Sequence, residues 1–367
     1  MRDNVLNNIL NLTGGEKFYR FGNSDGKFWV VPARGMRTAM SLYQPSGRKG
    51  KMVKSLLPSL HWIAFVRRAI HAETLHCRLN KEIHKLLCEI FNTNEIDFAI
   101  FEGTPSVHKK ITMQLSCGKQ VLGYCKLSCN EEIGKLFEKE TDILRRLAER
   151  EITNIPEALC CTTLDKDLHI FVQSTAKTTS SKIPHRWNNQ HEEFLEHLHE
   201  KTKRSILFEE SDYYRTLAQL EEHIDWLPDN IDTAIIAKAI DTVKRLFCNK
   251  KVEFSAFHGD FTPWNMFVEK GKLFLFDFEY AAMSYPRGLD RYHFFTQTAI
   301  FENGWDVKDI ISYINSTEGS WVDRSIYTLY LIDIISRFTV REKKKVTGEE
   351  TEFFRIWADI LQYIQNS

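Results

Sequence analysis

The alternation of apolar and polar residues after position 96 predicts a small antiparallel sheet. Apolar residues alternate or cluster at 98–101, 111–115 and 121–127, and turn-forming residues separate these runs. A helix is predicted from Glu131 to about Arg150, because one apolar stripe recurs there at helical spacing. Residues 168–172 predict one more strand, so this part of the chain should be a sheet with a helix against it.

The pattern changes beyond this sheet. Residues 173–183 are rich in Ser, Thr and Lys and have the composition of a linker, whereas residues 184–367 are mainly helical apart from one strand pair near position 266. We therefore predict the α+β class, with a small antiparallel-sheet lobe at 96–175, a large helical lobe at 176–367 and a cleft where the lobes meet.

The first 95 residues are predicted to form a separate basic extension of unknown role. Two short strands at 18–21 and 28–31 flank a turn, and amphipathic stretches follow at 51–70 and 73–91. Residues 26–72 contain nine Lys and Arg and no acidic residue, interleaved with Trp29, Tyr43 and Trp62. Peripheral contact with an anionic membrane is one interpretation. The alternative is an extra packing layer over the small lobe.

Composition excludes several classes of protein. The 367 residues include 49 Lys and Arg against 49 Asp and Glu, which gives no chain-wide attraction to nucleic acid, and 43% hydrophobic residues, which is typical of a globular protein. No apolar run is long enough for a membrane span, and no export signal is recognised, so a cytoplasmic location is expected. The eight cysteines include no Cys-x-x-Cys pair, which predicts free thiols.

The most informative segment is His-Gly-Asp-Phe-Thr-Pro-Trp-Asn at 258–265, followed by a predicted hairpin at 266–276. Asn265 precedes the first strand and Asp277 follows the second, so both should lie at the open end of the hairpin. A carboxylate and an amide oxygen are suitable ligands for Mg²⁺ that is shared with phosphate. Asp260, on the preceding loop, could accept the proton of an attacking hydroxyl. The alternative is that these residues only form turns.

A second pair is predicted in the small lobe. Glu140 lies on the apolar stripe of its helix, and a carboxylate on a buried face needs a partner. Lys126, on the preceding strand, is the nearest candidate. A Lys-Glu pair between a strand and the next helix is the arrangement that positions ATP phosphates in kinases.

These motifs resemble the aminoglycoside phosphotransferase and choline kinase superfamily of kinase-like enzymes over roughly residues 96–310. Residues 258–265 resemble its catalytic loop, Asp277-Phe278-Glu279 its metal-binding motif, and Asp290 the acidic residue that braces the loop. The resemblance implies a bilobal kinase-like fold and ATP-dependent phosphorylation of a small-molecule hydroxyl. Asp260 would be the catalytic base, and Asn265, Asp277 and Glu279 would be the Mg²⁺ ligands.

The segment 102–108 resembles the short phosphate loop of aminoglycoside kinases. Gly103 and Ser106 are its candidate phosphate-binding residues, although Pro105 removes one backbone donor. One glycine is a weak signal by itself.

Several alternatives stay open. His258 could be a general base, but a structural role beneath the loop is preferred, and His293 is expected to belong to the core. The acceptor could be an amino sugar, an aminoglycoside, a choline-like alcohol or a surface-polysaccharide sugar. Residues 206–232 carry eight acidic residues and one Arg, and with Tyr213, Tyr214 and Trp226 they could receive a cationic substrate. The alternative function is a catalytically silent nucleotide-binding scaffold.

Overall fold

The computed structural model describes residues 4–23, 26–45, 47–103, 110–341 and 343–367. The chain divides into two compact units. The sheet unit comprises Met1–Ala148, Thr153–Lys182 and Glu269–Phe274, and the helical unit comprises Glu149–Ile152, Ile183–Val268 and Leu275–Ser367.

The sheet unit is built on one antiparallel sheet, which has eight strands over the described residues. Their spatial order is β3-β1-β2-β4-β5-β6-β8-β7. The strands are β1 Leu10–Gly22, β2 Phe28–Pro32, β3 Glu73–Leu79, β4 Asp97–Phe101, β5 Ile111–Cys117, β6 Gln120–Ser128, β7 Ala158–Leu164 and β8 Leu168–Ser174. The helices are α1 Asn4–Ile9, α2 Met36–Ala39, α3 Arg48–Leu60, α4 Ala64–Ala69, α5 Lys81–Phe91 and α6 Glu131–Ala148.

Alternating side chains give this sheet two hydrophobic cores. Phe18 and Val30 belong to the larger core, which also contains residues of β4 to β8. The next residues along their strands, Tyr19 and Val31, belong to a second core with residues of α2 and α3. Because neighbouring side chains of a strand point to opposite faces, β1, β2 and β4 contribute residues to both cores.

The predicted separate extension is not separate in the structure. Strands β1 to β3 hydrogen-bond into the same sheet as β4, through pairs such as Trp29 with Phe101. The stretch 73–91, expected to be amphipathic throughout, is a strand followed by a helix. Apolar residues at positions 75, 77 and 79 alternate, and the helical spacing begins only after Asn80, whose side chain caps α5.

The helical unit contains more strands than the sequence predicted. Its helices are α7 Asn189–Thr202, α8 Asp212–Glu222, α9 Thr233–Phe247, α10 Leu289–Phe301, α11 Val307–Ile314, α12 Arg324–Arg341 and α13 Thr351–Asn366. The predicted hairpin of β11 Met266–Glu269 and β12 Lys272–Leu275 is present, and its residues Glu269–Phe274 belong to the sheet unit. The helical unit also has a three-stranded sheet in the order β13-β10-β9. Its strands are β9 Arg204–Leu207, β10 Lys251–Phe257 and β13 Ala282–Tyr285.

Helix α12 lies at the centre of the helical unit. Tyr327, Tyr330 and Leu331 of this helix are fully buried, and they belong to one core with residues of α8, α9 and α13. The predicted α+β class is confirmed. The eight cysteines are free, as predicted. Over the described residues, no helix has the length and apolar character needed to cross a membrane.

Candidate active site

The loop between β10 and β11, residues 258–265, is held by a carboxylate of α10. The backbone N–H of His258 donates to Asp290 Oδ2 at 2.9 Å, and that of Gly259 donates to Asp290 Oδ1 at 3.0 Å. Burial raises the pKa of Asp290 to about 7, and the two N–H donors offset this effect only in part. The bracing role that the resemblance implied for Asp290 fits these contacts.

Asp260 is held at both carboxylate oxygens. His293 Nε2 donates to Asp260 Oδ1 at 3.0 Å, and Asn265 Nδ2 donates to Asp260 Oδ2 at 2.7 Å. Burial tends to raise the pKa of Asp260, but the hydrogen bond from His293 and the charge interactions with His293 and His258 together outweigh it, so the pKa lies below its usual range. The side chain stays 28% exposed. It is therefore an ionised, oriented carboxylate that a substrate can reach.

His293 is buried, as expected of a core residue, and it also contacts Asp260, which the sequence did not predict. Burial lowers the pKa of His293, although Asp260 acts in the opposite direction. The imidazole is therefore neutral at neutral pH, with its hydrogen on Nε2. His293 lies one turn after Asp290 on α10, so both residues face the loop. The spacing of Asp290 and His293 was visible in the sequence, but it did not show that His293 contacts Asp260.

His258 has the contacts of a structural residue. Its ring is fully buried, Nε2 lies 3.1 Å from the carbonyl oxygen of Phe276, and Nδ1 accepts from the N–H of Asp260 at 3.1 Å. Burial lowers the pKa of His258 to about 4, although Asp260 acts to raise it. A neutral ring with both nitrogens in use is poorly suited to act as a general base.

Arg337 of α12 is a further support that sequence reasoning missed. Its Nη1 donates to the carbonyl oxygen of Gly259 at 2.5 Å, and its Nε donates to the fully buried Asp333 at 2.9 Å. Gly259 has a φ of +83°, and a Cβ there would lie 2.8 Å from the carbonyl oxygen of Tyr280. The loop thus requires glycine at this position, and α10 and α12 both fix its backbone.

The hairpin brings Asn265 and Asp277 to its open end, as the spacing predicted. The N–H of Phe276 donates to the carbonyl oxygen of Asn265 at 3.0 Å, which places Asp277 next to this pair. The turn residues Lys270 and Gly271 both have positive φ, as a type I′ turn requires. Asp277 itself has a φ of +70°, a backbone conformation that is uncommon for a non-glycine residue.

The donor set at this end suits Mg²⁺. Asn265 uses its Nδ2 on Asp260, so its Oδ1 is the atom left to act as a ligand. Asp277 supplies one carboxylate, and Mg²⁺ typically takes one or two protein carboxylates with phosphate oxygens and water. The described residues contain no cluster of three His, Cys, Asp or Glu that could hold a metal by themselves. Glu279, two residues further on, stays a predicted ligand.

Lys126 and Glu140 form the pair that the sequence predicted within the sheet unit. Lys126 Nζ lies 2.8 and 2.7 Å from the two oxygens of Glu140. The side chains are 5% and 0% exposed, and the ammonium lies 5.6 Å from the centre of the Phe171 ring. A role of this pair in binding phosphate stays a proposal.

The predicted phosphate loop is described only at its start. Gly103 follows β4 with a φ of +78°, a conformation that favours glycine, whereas Ser106 lies outside the described residues. The preceding residue, Glu102, accepts two hydrogen bonds from Arg20 of β1, at 2.6 and 3.0 Å. A residue of the first 95 therefore anchors the start of this loop.

The acidic segment 206–232 has more structural roles than predicted. Tyr213 is fully buried and donates to the carbonyl oxygen of Leu329, so it cannot form a cation-binding wall. Trp226 stacks on His223 with ring centres 3.9 Å apart. Asp212 accepts from the backbone N–H of Met283 and from Ser284. Much of this segment therefore stabilises the fold through burial, ring stacking and hydrogen bonds.

Comparison with known proteins supports the same chemistry. Residues 135–287 match the model of the family described as "APH: Phosphotransferase enzyme family". The chain resembles phosphotransferases. The match covers less than half of the chain and includes Glu140, Asp260, Asn265, Asp277 and Glu279. This similarity supports the prediction of a phosphotransferase enzyme. No curated protein matches the sequence significantly.

Solved structures confirm the kinase-like fold. Aminoglycoside phosphotransferase APH(4)-Ia in a ternary complex with ADP and hygromycin B shares 13% identity, with a TM-score of 0.52, over 78% of this chain and 100% of that one. Another structure of APH(4)-Ia has the same identity and a TM-score of 0.50 over 77% and 98%. A Plasmodium vivax ethanolamine kinase shares 16% identity, with a TM-score of 0.48, over 76% and 86%.

Proposed function

We propose that this protein is an ATP- and Mg²⁺-dependent kinase that phosphorylates a hydroxyl group of a small molecule, with Asp260 as the catalytic base. The observation that carries the proposal is the Asp260 carboxylate, which is oriented by His293 and Asn265 and stays accessible. Hydrogen bonds at both oxygens fix its direction before a substrate arrives, as catalysis by positioning requires.

The residues of the loop would act on the acceptor hydroxyl. Asp260 is ionised because its pKa lies below the usual range, so it can accept a hydrogen bond from the hydroxyl and orient the oxygen. As the bond from the acceptor oxygen to the γ-phosphorus forms, the bond from that phosphorus to the bridging oxygen breaks and ADP leaves; the hydroxyl proton passes to the Asp260 carboxylate and later to solvent. His293 keeps the carboxylate in place throughout, because its neutral ring donates without taking the proton.

Several of the predicted residues are proposed to bind the nucleotide. Asn265 Oδ1 and Asp277 are the proposed ligands of Mg²⁺, with Glu279 as a third candidate; the metal neutralises charge on the phosphates. Lys126, oriented by Glu140, would contact the phosphates as a point charge. Gly103 and Ser106 stay proposed residues of the phosphate loop.

The experiment is a binding titration with Mg·ATP, followed by an ATP-consumption screen. The screen should cover amino sugars, aminoglycosides, choline, ethanolamine and sugars of surface polysaccharides. Asp260→Asn should lower turnover by roughly 10²- to 10⁴-fold on the substrate that is found. Asp241→Asn, a change of the same type at an exposed ion pair of α9, is the matched control and should leave turnover unchanged.

The result also separates this proposal from a silent scaffold. Binding of Mg·ATP without turnover on any acceptor would favour the scaffold, and absence of binding would refute both. We also propose a cationic acceptor and a cytoplasmic location. Membrane contact through residues 26–72 is a separate proposal, which concerns a different surface of the protein.

A further inference from the structure

Large exposed apolar side chains are concentrated in one short segment of the sheet unit, which comprises α3, α4 and the turn between them. Eight large hydrophobic residues are exposed in the described parts of the chain, and four of them lie between positions 52 and 65. They are Met52 (59% exposed), Leu56 (46%), Trp62 (70%) and Phe65 (76%). We call these four residues the 52–65 face. Apolar surface concentrated in this way marks an interaction site more often than scattered exposed residues do.

The fold presents this face in a fixed geometry. Met52 and Leu56 lie one turn apart on the outer side of α3, while Leu57 on its inner side is buried in the second core. Arg67 of α4 fixes the turn that carries Trp62, because its Nη1 donates to the carbonyl oxygens of His61 and Trp62, each at 2.7 Å.

The Trp62 side chain has one polar group, and this group has a hydrogen-bond acceptor within the same segment. Its indole N–H donates to the carbonyl oxygen of Ser59 at 3.0 Å. The indole can therefore enter an apolar medium without leaving an unsatisfied donor. Phe65, three residues later in the first turn of α4, has no polar group to satisfy.

The charged Lys, Arg, Asp and Glu positions near the 52–65 face in the sequence are all basic. Residues 26–72 contain nine Lys and Arg and no acidic residue. Arg48, Lys49 and Lys51 are exposed on α3, and Arg68 is exposed on α4. The elements that carry the apolar side chains thus also carry a positive potential.

We propose that the 52–65 face binds the surface of an anionic phospholipid membrane. Helices that lie on membranes combine Trp, Phe and Leu with surrounding Lys and Arg, because the apolar groups enter the acyl boundary while the basic groups meet anionic headgroups. Protein interfaces also favour Trp, Phe, Met and Arg, but they are depleted of Lys, whereas Lys49 and Lys51 are exposed on the same helix as Met52 and Leu56.

The helices would lie on the membrane rather than cross it. Helix α3 has 13 residues and α4 has 6, whereas a span needs about 20. The proposal is independent of the proposed kinase activity, because it concerns only side chains of the sheet unit that have no part in the candidate active site.

The test is flotation of the full chain with lipid vesicles. Vesicles of phosphatidylcholine alone are compared with vesicles of phosphatidylcholine and phosphatidylglycerol in equal parts, at low and high salt. The wild type should bind the anionic vesicles more tightly and should lose much of this binding in high salt. Trp62→Ser combined with Phe65→Ser should weaken binding by roughly tenfold or more, because two aromatic anchors are lost.

A second pair of variants separates the charge from the apolar contact. Arg48→Gln combined with Lys51→Gln should weaken binding and reduce its salt dependence. The matched controls are Leu246→Ser and Lys238→Gln, which change an exposed apolar residue and an exposed basic residue of α9 and should bind as the wild type does. Unchanged thermal melting would show that the exposed substitutions leave the fold intact.

Tryptophan fluorescence identifies the contact directly. The wild type should show a blue shift on anionic vesicles, and Trp62→Phe should keep the binding while losing most of that shift. The proposal is overturned if no vesicle binds, if both vesicle types bind equally, or if the serine variants bind as tightly as the wild type. It is also overturned if those variants abolish a concentration-dependent self-association instead, since the face would then be a protein interface.

Discussion

Replacing Glu140 by Gln is expected to destabilise the sheet unit strongly. The substitution keeps the size of the side chain and removes its charge, so the buried ammonium of Lys126 loses the counter-ion that Glu140 provides. The surroundings offer little solvent, because the two side chains are 5% and 0% exposed and the fully buried Phe171 ring lies beside the ammonium.

The expected loss of stability follows from the burial of this ion pair. Removing one partner of a buried ion pair typically costs about 3–5 kcal/mol, because the remaining charge keeps its desolvation penalty and loses its attraction. Both oxygens of Glu140 contact Lys126, and the amide that replaces them retains one acceptor, so we expect the lower part of that range. Amide exchange in β6 and α6 should accelerate by roughly a hundredfold to a few thousandfold.

The assay is hydrogen exchange followed by mass spectrometry, supported by urea denaturation. The matched control is Glu131→Gln on the same helix. Glu131 pairs with Lys135, but these side chains are 78% and 58% exposed, and an exposed pair contributes little because water screens it. We expect no measurable change of exchange in the control.

A double variant distinguishes the structural role from the functional one. Replacing Lys126 by Met and Glu140 by Leu together should recover most of the lost stability, since apolar residues often replace a buried ion pair at no cost. Mg·ATP binding should stay lost if the pair positions phosphate. A single-variant cost below about 1 kcal/mol would refute the reasoning on burial, and a stable double variant that still bound Mg·ATP normally would refute the phosphate role.

Three further predictions concern the helical unit. His293→Phe should raise the pKa of Asp260, because it removes a hydrogen bond that opposes the effect of burial. The acid limb of the pH profile of kcat/KM should therefore move to higher pH. His293→Gln keeps a hydrogen-bond donor and should move this limb less. Asp277→Ala should abolish Mg²⁺-dependent nucleotide binding in a calorimetric titration, while the thermal melting point stays near that of the wild type. Asp290 has a folded pKa of about 7 against an ordinary value of 3.8, so the wild type should lose stability as the pH rises between these values. Asp290→Asn should remove this dependence of the urea midpoint on pH.

Much of the local structure was predictable because it depends on neighbours in the sequence. The hairpin follows from apolar runs on either side of Lys270 and Gly271, and α6 follows from its apolar stripe. The Lys126–Glu140 pair was also predictable, since a carboxylate on a buried helical face needs a nearby cation. These inferences used sequence separations of fewer than about twenty residues.

The sequence was less informative about strand pairs whose members lie far apart in the chain. The first 95 residues were expected to stand apart, yet β2 pairs with β4 although about seventy residues separate them. Strand pairing at that distance leaves no periodic signal, because either strand could satisfy its backbone groups with other neighbours. The strands of the helical unit were missed for the same reason.

The sequence by itself determined which groups could carry phosphoryl transfer: the spacing from Asp260 through Asn265 to Asp277 is a property of one loop and one hairpin. Only the tertiary structure decided what holds them. His293 lies 33 residues from Asp260, and Arg337 lies 78 residues from Gly259, yet both donate to the loop at 258–265. The reason is that a buried carboxylate or carbonyl oxygen needs a donor but does not specify where in the chain that donor lies; packing of α10 and α12 makes the choice.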